Sequence, residues 1–312
     1  MSAVIAVDIG GTSVRAAAYI GDSTTALAHA RMETRGEPGS LFDRIVALVR
    51  SVIGSERIRA IGVAAPGPLS PHEGLIIKTP NIPEWEDFPL GQKLASALGV
   101  EVFMDNDANL AGLAEWKYGA GRGHHDLLHI TVGTGVGSGL VLNDRLHQGY
   151  HGLASEFGHM AVDPAGPMCA CGHAGHIEAF SSGTAIAAYV VEQLVAGTPS
   201  KLAAAPAITA RQVATAASEG DLLAQQAFDR AGAYLGIGIA NCLMLLNPSI
   251  VVLGGGVAKA GDLLLKPLAR TARESVMHSR FLDDVVITRG TLHDDAGLLG
   301  ALELARSTLR LH

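Results

Sequence analysis

The reading of the fold turns on AVIAVDIGGTSVRAAAYI, Ala3–Ile20, and on a second stretch of the same kind, LLHITVGTGVGSGLVL, Leu127–Leu142. In the first, an apolar run from Ala3 to Val7 reaches Asp8-Ile9-Gly10-Gly11-Thr12 and resumes from Val14 to Ile20, a strand, turn, strand pattern. Glycines at the tip let backbone N–H groups approach an anionic phosphate with no Cβ in the way. Thr12 can add a hydroxyl donor, and Asp8, at the strand's end, could hold a hydrated magnesium ion. The second stretch repeats the pattern 123 residues later, with Gly133-Thr134-Gly135-Val136-Gly137-Ser138-Gly139 at its tip. One glycine turn could be an ordinary hairpin. Two at the starts of successive halves predict a duplicated fold. A dinucleotide fingerprint is excluded, because strand follows the glycines where a Rossmann unit needs a helix.

Around the hairpins the chain alternates. Ser40 to Gly54 has helical spacing between a serine start and a glycine stop, and Arg59 to Ala65 is an apolar strand ending at Pro66-Gly67-Pro68. The proline-rich KTPNIPEWEDFP, Lys78–Pro89, is expected to be a binding loop carrying Asn81 and Trp85, or else a rigid surface connection. Val100 to Met104 is a strand leading into Asp105-Asn106-Asp107-Ala108-Asn109 and a helix, and ligands of open α/β sheets gather at such carboxyl ends. Any of these acids could instead cap the helix, a role expected of Asn109 or Asp105. Further on, helices are expected over Ile177–Ala196, Thr209–Ser218 and Leu222–Leu246. The strand Ser249–Leu253 runs into Gly254-Gly255-Gly256, where a nucleoside could lie flat on the backbone unless this is simply a tight turn. Strand Val285–Thr288 and a last helix from Asp295 to about Leu309 complete an α/β chain.

The richest polar chemistry lies in SEFGHMAVDPAGPMCACGHAGHIE, Ser155–Glu178. Cys169 and Cys171 are too close in sequence for an unstrained disulfide, whereas two thiolates with the imidazoles of His159 and His176 make a closed tetrahedral set for zinc. Such a loop would bring Glu156 and Glu178 to its two ends, free to face one bound polyol. The alternative is a glycine-rich surface loop with reduced thiols and no metal.

Composition bounds the rest. A chain of 312 residues, 48% apolar, is long enough for two domains with substantial cores. Its 38 glycines exceed the usual share of about 7% and fit turns and close ligand approaches. The net charge of −7 argues against a face that tracks nucleic acid. Three cysteines fit a reducing compartment, with Cys242 expected to be buried. No signal-like start and no apolar run of about 20 residues appears, so a cytoplasmic protein with no membrane partner is expected.

Taken together, the chain resembles the ROK family of sugar kinases, repressors and open reading frames, from the DIGGT loop to the last helix. The most specific match is Glu156-x-Gly158-His159 followed by Cys169-x-Cys171-Gly172-x-x-Gly175-x-x-Glu178. The resemblance implies a two-domain ribonuclease-H-like fold of the actin/hexokinase type. Its units would be residues 1–117, with a helix at about 295–312 packing back on them, and 118–294 with the zinc loop. It implies ATP-dependent phosphorylation of a hexose, glucose first and an N-acetylhexosamine or fructose next, with magnesium, structural zinc and a homodimer or homotetramer.

On these residues the resemblance makes Asp107 the general base, with Asn106, Glu156, His159 and Glu178 gripping the sugar and Asn81 and Gly67 closing the pocket. Asp8, Gly10, Gly11 and Thr12 would hold ATP phosphates with Gly133, Thr134 and Gly135, while Gly254, Gly255 and Gly256 border the nucleoside. The chain departs from the family at His176, where most members carry a third zinc-binding cysteine, so a Cys2His2 site is expected, with His159 serving metal and sugar through its two nitrogens. A repressor of the same family would carry a DNA-binding helix-turn-helix ahead of the phosphate loop. Here the loop begins at Asp8 and the charge is acidic, so the kinase is expected.

Overall fold

Both glycine-tipped hairpins form, and each seeds one sheet. A computed structural model describes residues 2–36, 39–54, 56–79 and 82–311, so Asn81 lies outside the described residues. In the first half, β1 (Ser2–Ile9) and β2 (Ser13–Ile20) pair antiparallel, and β3 (Ala28–Glu33) adds to β2. Helix α1 (Leu41–Val52) leads to β4 (Arg57–Ala65), parallel to β1, and a short ribbon of β5 (Leu69–Ser70) and β6 (Leu75–Ile76) follows. Helix α2 (Leu90–Leu98), strand β7 (Glu101–Asn106), parallel to β4, and helix α3 (Asp107–Tyr118) close this half.

The second half repeats the plan. Strands β8 (Leu127–Val132) and β9 (Val136–Leu142) form the hairpin, and β10 (Arg145–Leu146) extends it. Helices α4 (Glu178–Ser181), α5 (Gly183–Val195), α6 (Ala210–Ser218) and α7 (Leu222–Leu246) precede β11 (Ile250–Gly254), parallel to β8. Then come α8 (Gly255–Ala258), α9 (Asp262–Ser275), β12 (Val286–Arg289), parallel to β11, and α10 (Ala296–Leu311). The sheet orders β3-β2-β1-β4-β7 and β10-β9-β8-β11-β12 are the same order twice. This duplicated, mixed α/β arrangement is the ribonuclease-H-like, actin/hexokinase-type fold.

The apolar strand runs follow from burial on both faces. Along β1, Ile5, Val7 and Ile9 point into a core with Ile45 and Val49 of α1 and Leu94 of α2. Val4 and Ala6 point the other way, toward Leu110 and Leu113 of α3 and Leu298 and Leu302 of α10. Alanines dominate that second face, so α10 sits close on the sheet. A Cβ at Gly62 of β4 would stand 1.8 Å from the Ala301 carbonyl oxygen. In the second half, Leu128, Ile130 and Val132 pack with Leu235, Ile239 and Leu243 of α7. Among the described residues no helix is long and apolar enough to cross a membrane.

Three expectations change. The helix expected over Ile177–Ala196 breaks at Ser182, which is extended (φ −66°, ψ 160°) and caps α5 by accepting from the Ala185 N–H. The break brings the Gly183 N–H to the Gly133 carbonyl at 2.7 Å, where a Cβ on Gly183 would lie 2.9 Å from that oxygen. Strand β3 and helix α2 were not anticipated. The α2 signal was present in Leu90, Leu94 and a left-handed Gly99 stop, but sat behind the prolines. Trp85 packs inward from the proline-rich loop. It is 3% exposed and stacks on Phe88 at 5.0 Å, so it is core. Cys242 is buried, as expected.

Candidate active site

The two hairpin tips are held by side chains from outside the hairpins. Thr34 pins the first tip, donating from its hydroxyl to the Gly10 carbonyl (2.7 Å) and from its N–H to the Thr12 carbonyl (2.9 Å). Gly11 is exposed and Thr12 is also exposed. At the second tip the Gly133 N–H donates to the Gly135 carbonyl (2.9 Å), the Thr184 hydroxyl donates to the Thr134 carbonyl (2.8 Å), and the Val136 N–H donates to Glu178 Oε2 (2.9 Å). A Cβ on Gly133 would meet nothing within 4 Å, so that residue faces open space. Asp8 stands at the end of β1. One carboxylate oxygen pairs with Arg15.

The β7–α3 junction supplies the acid. Asn106 is the N-cap of α3, its Oδ1 accepting from the N–H groups of Ala108 (2.9 Å) and Asn109 (3.3 Å). This corrects the expectation that Asn109 or Asp105 would cap. With its oxygen committed, Asn106 has only its Nδ2 to offer a ligand, and that nitrogen stands 3.0 Å from where a Gly67 Cβ would be. Asp105 is fully buried instead, accepting from the Asn106 N–H (2.6 Å), Asn109 Nδ2 (2.9 Å) and Gln148 Nε2 (2.5 Å). Asp107 is the first residue of α3, its Oδ1 accepting from the Ala108 N–H at 2.8 Å. Loss of water around it, with Asp8 and then Glu156 nearby, pushes its carboxyl up to about 6.

Asp107, Asn106, Gly67, Glu156, His159 and Glu178 line one cavity of about 330 Å³, with Gly133, Thr134 and Gly135 on its wall. Glu156 is raised by burial and by Glu178, while His159 opposes this, its Nε2 lying 3.9 Å from Glu156 Oε2. Glu178 is tied on both sides. Oε2 takes the Val136 N–H, and Oε1 is 3.4 Å from Cys169 Sγ.

The metal-type donors converge beside this cavity. One atom each from His159, Cys169, Cys171 and His176 all lie within 4.8 Å of one another. Cys169 Sγ is 3.7 Å from His159 Nδ1, and Cys171 Sγ is 3.2 Å from His176 Nδ1. A tetrahedral ion with bonds of about 2.0–2.3 Å puts its ligands roughly 3.3–3.8 Å apart; the two thiol–imidazole pairs stand near that spacing, and the wider pairs, up to 4.8 Å, would have to draw in around an ion. His159 turns Nδ1 to the Cys169 thiol and Nε2 to Glu156. The sequence reading overlooked His173, whose Nδ1 is 3.8 Å from Cys171 Sγ and whose ring stacks on His176. Gly175 (φ +75°) permits the knuckle, since a Cβ there would meet the Asp163 carbonyl oxygen at 1.7 Å.

Two larger cavities flank the triple glycine. One of about 830 Å³ is lined by Gly133, Thr134, Thr184, Ala187, Gly256 and Lys259, the other, of about 770 Å³, by His129, Gly254, Gly255, Gly256, Lys259 and Asp294. Thr184 and Lys259 escaped the sequence reading, since neither lies in a motif and only folding brings them to the glycines.

The chain is similar to known proteins over nearly its whole length. The sequence model of the ROK family matches residues 4–308. A glucokinase of Thermotoga maritima is 34% identical over 98% of this chain and 98% of its own length. A glucokinase of Halalkalibacterium halodurans is 37% identical over 95% of this chain and 92% of its own. Among solved structures, a ROK family glucokinase from Streptomyces griseus in complex with glucose and AMPPNP superposes with a TM-score of 0.83 at 32% identity, covering 98% of this chain and 99% of that one. A ROK family transcriptional regulator, a homolog of Escherichia coli Mlc, gives a TM-score of 0.88 at 26% identity over 98% of this chain but 78% of that one. With a match over nearly its whole length, the chain belongs to the ROK family.

Proposed function

We propose that this protein transfers the γ-phosphoryl group of ATP to the 6-hydroxyl of glucose, with Asp107 as general base. The observation that carries the reading is the position of Asp107, in one cavity with Glu156, His159 and Glu178 and beside the tip of the second phosphate hairpin. Its volume of about 330 Å³ is at the small end of ligand sites, a size that suits a monosaccharide. The glucokinases at 34% and 37% identity support glucose among hexoses.

In this reading Asp107 accepts the proton of the attacking hydroxyl as O6 bonds to the γ-phosphorus. The bond from that phosphorus to the β–γ bridging oxygen breaks, and ADP leaves. Little covalent help is needed, so alignment and charge neutralisation carry most of the rate. Gly10–Thr12 and Gly133–Gly135 hold the phosphates, Gly256 and Thr184 border the nucleoside, and Asn106 Nδ2, Glu156, His159 Nε2 and Glu178 orient the ring. Magnesium, when bound, offsets phosphate charge, and Asp8 would hold it through water. Its second carboxylate oxygen makes no hydrogen bond among the described residues. His159, Cys169, Cys171 and His176 would hold zinc and so fix His159 and Glu178 at the ring. Residues 1–117 with 295–312, and residues 118–294, act as two units closing over the sugar, which excludes water and suppresses ATP hydrolysis.

The test is an ADP-coupled assay with ATP and a panel of glucose, mannose, fructose, N-acetylglucosamine and N-acetylmannosamine. Glucose is expected to give the highest kcat/KM. No sugar-dependent ADP above background would refute a kinase, and an N-acetylhexosamine leading the panel would overturn glucose.

A further inference from the structure

Arg15 has no part in the mechanism above, yet it makes a junction between distant pieces of chain. It stands on β2 directly opposite Asp8 of β1, and the two side chains are 24% and 16% exposed. Its Nη2 donates to Asp8 Oδ2 and also to the main-chain carbonyl of Asp294, while Nη1 lies 4.0 Å from Asp295 Oδ1.

The segment it reaches, residues 290–295, leads from β12 of the second sheet to α10, which packs on the first. Glu115 of α3 holds that segment from the other side by accepting the Leu292 N–H at 2.9 Å. The Asp294 carboxylate lies 3.9 Å from Lys259 Nζ, in the wall of the cavities beside the triple glycine. The start of α10 is closed against Asp8 as well, since a Cβ on Gly297 would stand 2.7–2.9 Å from its carboxyl atoms. One planar guanidinium thus fixes the Asp8 carboxylate and the chain segment flanking the triple-glycine cavities. Both hydrogen bonds come from Nη2, and the planar group also carries Nη1 to Asp295, a second nitrogen that a single ammonium lacks.

We propose that Arg15 is a positioning residue for the phosphoryl donor, locking Asp8 and the Asp294 segment in one arrangement before ATP arrives. Of Arg15, Asp8 and Asp294, only Asp294 lines a cavity beside the triple glycine, and none of the three lines the hexose cavity. The effect of removing Arg15 therefore falls on ATP and spares the sugar. The proposal rests on the kinase reading, so the wild type is assayed beside the variants.

With ATP and glucose each varied, Arg15→Met is expected to raise KM for ATP at least about tenfold, with KM for glucose within twofold of wild type. Arg15→Lys is expected to fall between, because it restores the charge opposite Asp8 but not the second nitrogen that reaches Asp295. Thermal melting reports whether each variant folds, and if Arg15→Met does not, Arg15→Gln replaces it under the same criteria. A folded variant with KM for ATP within twofold of wild type, or with both KM values raised equally, overturns the proposal while leaving the kinase reading intact. A wild type that phosphorylates no hexose would sink both.

Discussion

Replacing Asp107 with asparagine removes the proposed base but little of its volume, and it is expected to make the protein inactive and more stable at once. The carboxyl of Asp107 is pushed from 3.8 to about 6 by loss of water and by Asp8, which means that the fold holds its charged form at a cost. That displacement corresponds to roughly 3 kcal/mol when the group is ionised. The sign follows from proton counts. Between pH 4 and pH 6 the folded chain keeps a proton that the unfolded chain has lost, so raising the pH through this window destabilises the fold. The amide of Asp107→Asn has no such titration, and its oxygen can still accept from the Ala108 N–H.

Urea unfolding without ligands should therefore find the variant and wild type within about 1 kcal/mol of each other at pH 4. The variant should be more stable by roughly 3 kcal/mol near pH 7. Turnover should fall by about 10²–10⁴, the usual range for loss of a general base. In the wild type kcat/KM should rise with pH through about 6 and then level off, because only the ionised carboxylate accepts a proton. Turnover within a few-fold of wild type, or a variant less stable at pH 7 than at pH 4 relative to wild type, would refute the reasoning.

Metal analysis after dialysis is expected to find one zinc per chain. Removing it with a strong chelator should lower the melting temperature and raise KM for glucose, because His159 and Glu178 both lean on Cys169. A metal-free protein of unchanged stability and activity would end the zinc reading. Gly62→Ala should destabilise the fold by about 1–3 kcal/mol, since its Cβ would overlap the Ala301 carbonyl of α10. An unchanged melting curve would show that α10 yields freely there.

Much of this was legible because some residues have few compatible contexts. A strand that stops at Asp8-Ile9-Gly10-Gly11-Thr12 and resumes as strand reads as a glycine-tipped hairpin, and its recurrence at Gly133 announced the duplication. The Cys-x-Cys pair with flanking histidines likewise pointed to four donors at one place. Local pattern misjudged matters settled by neighbours far along the chain. Trp85 reads as a loop aromatic until Phe88 and the core close over it. The cap of α3 went to Asn106, because Asn109 is turned inward to serve buried Asp105. Ser182 breaks a helix whose sequence is continuous, because Gly183 must reach Gly133 across the cleft wall.

By itself, then, the sequence determined the repeated hairpins, the alternation of helix and strand, and the kinds of side chain available for chemistry. Those are properties of short windows, where backbone freedom and apolar spacing act within a few residues of each other. Tertiary structure alone decided which of three neighbouring polar residues, Asp105, Asn106 and Asp107, is buried, which caps and which faces the cavity. It alone joined Arg15 to Asp294. Desolvation and side-chain partnership depend on what the rest of the chain brings within a few ångströms, and no local pattern carries that information.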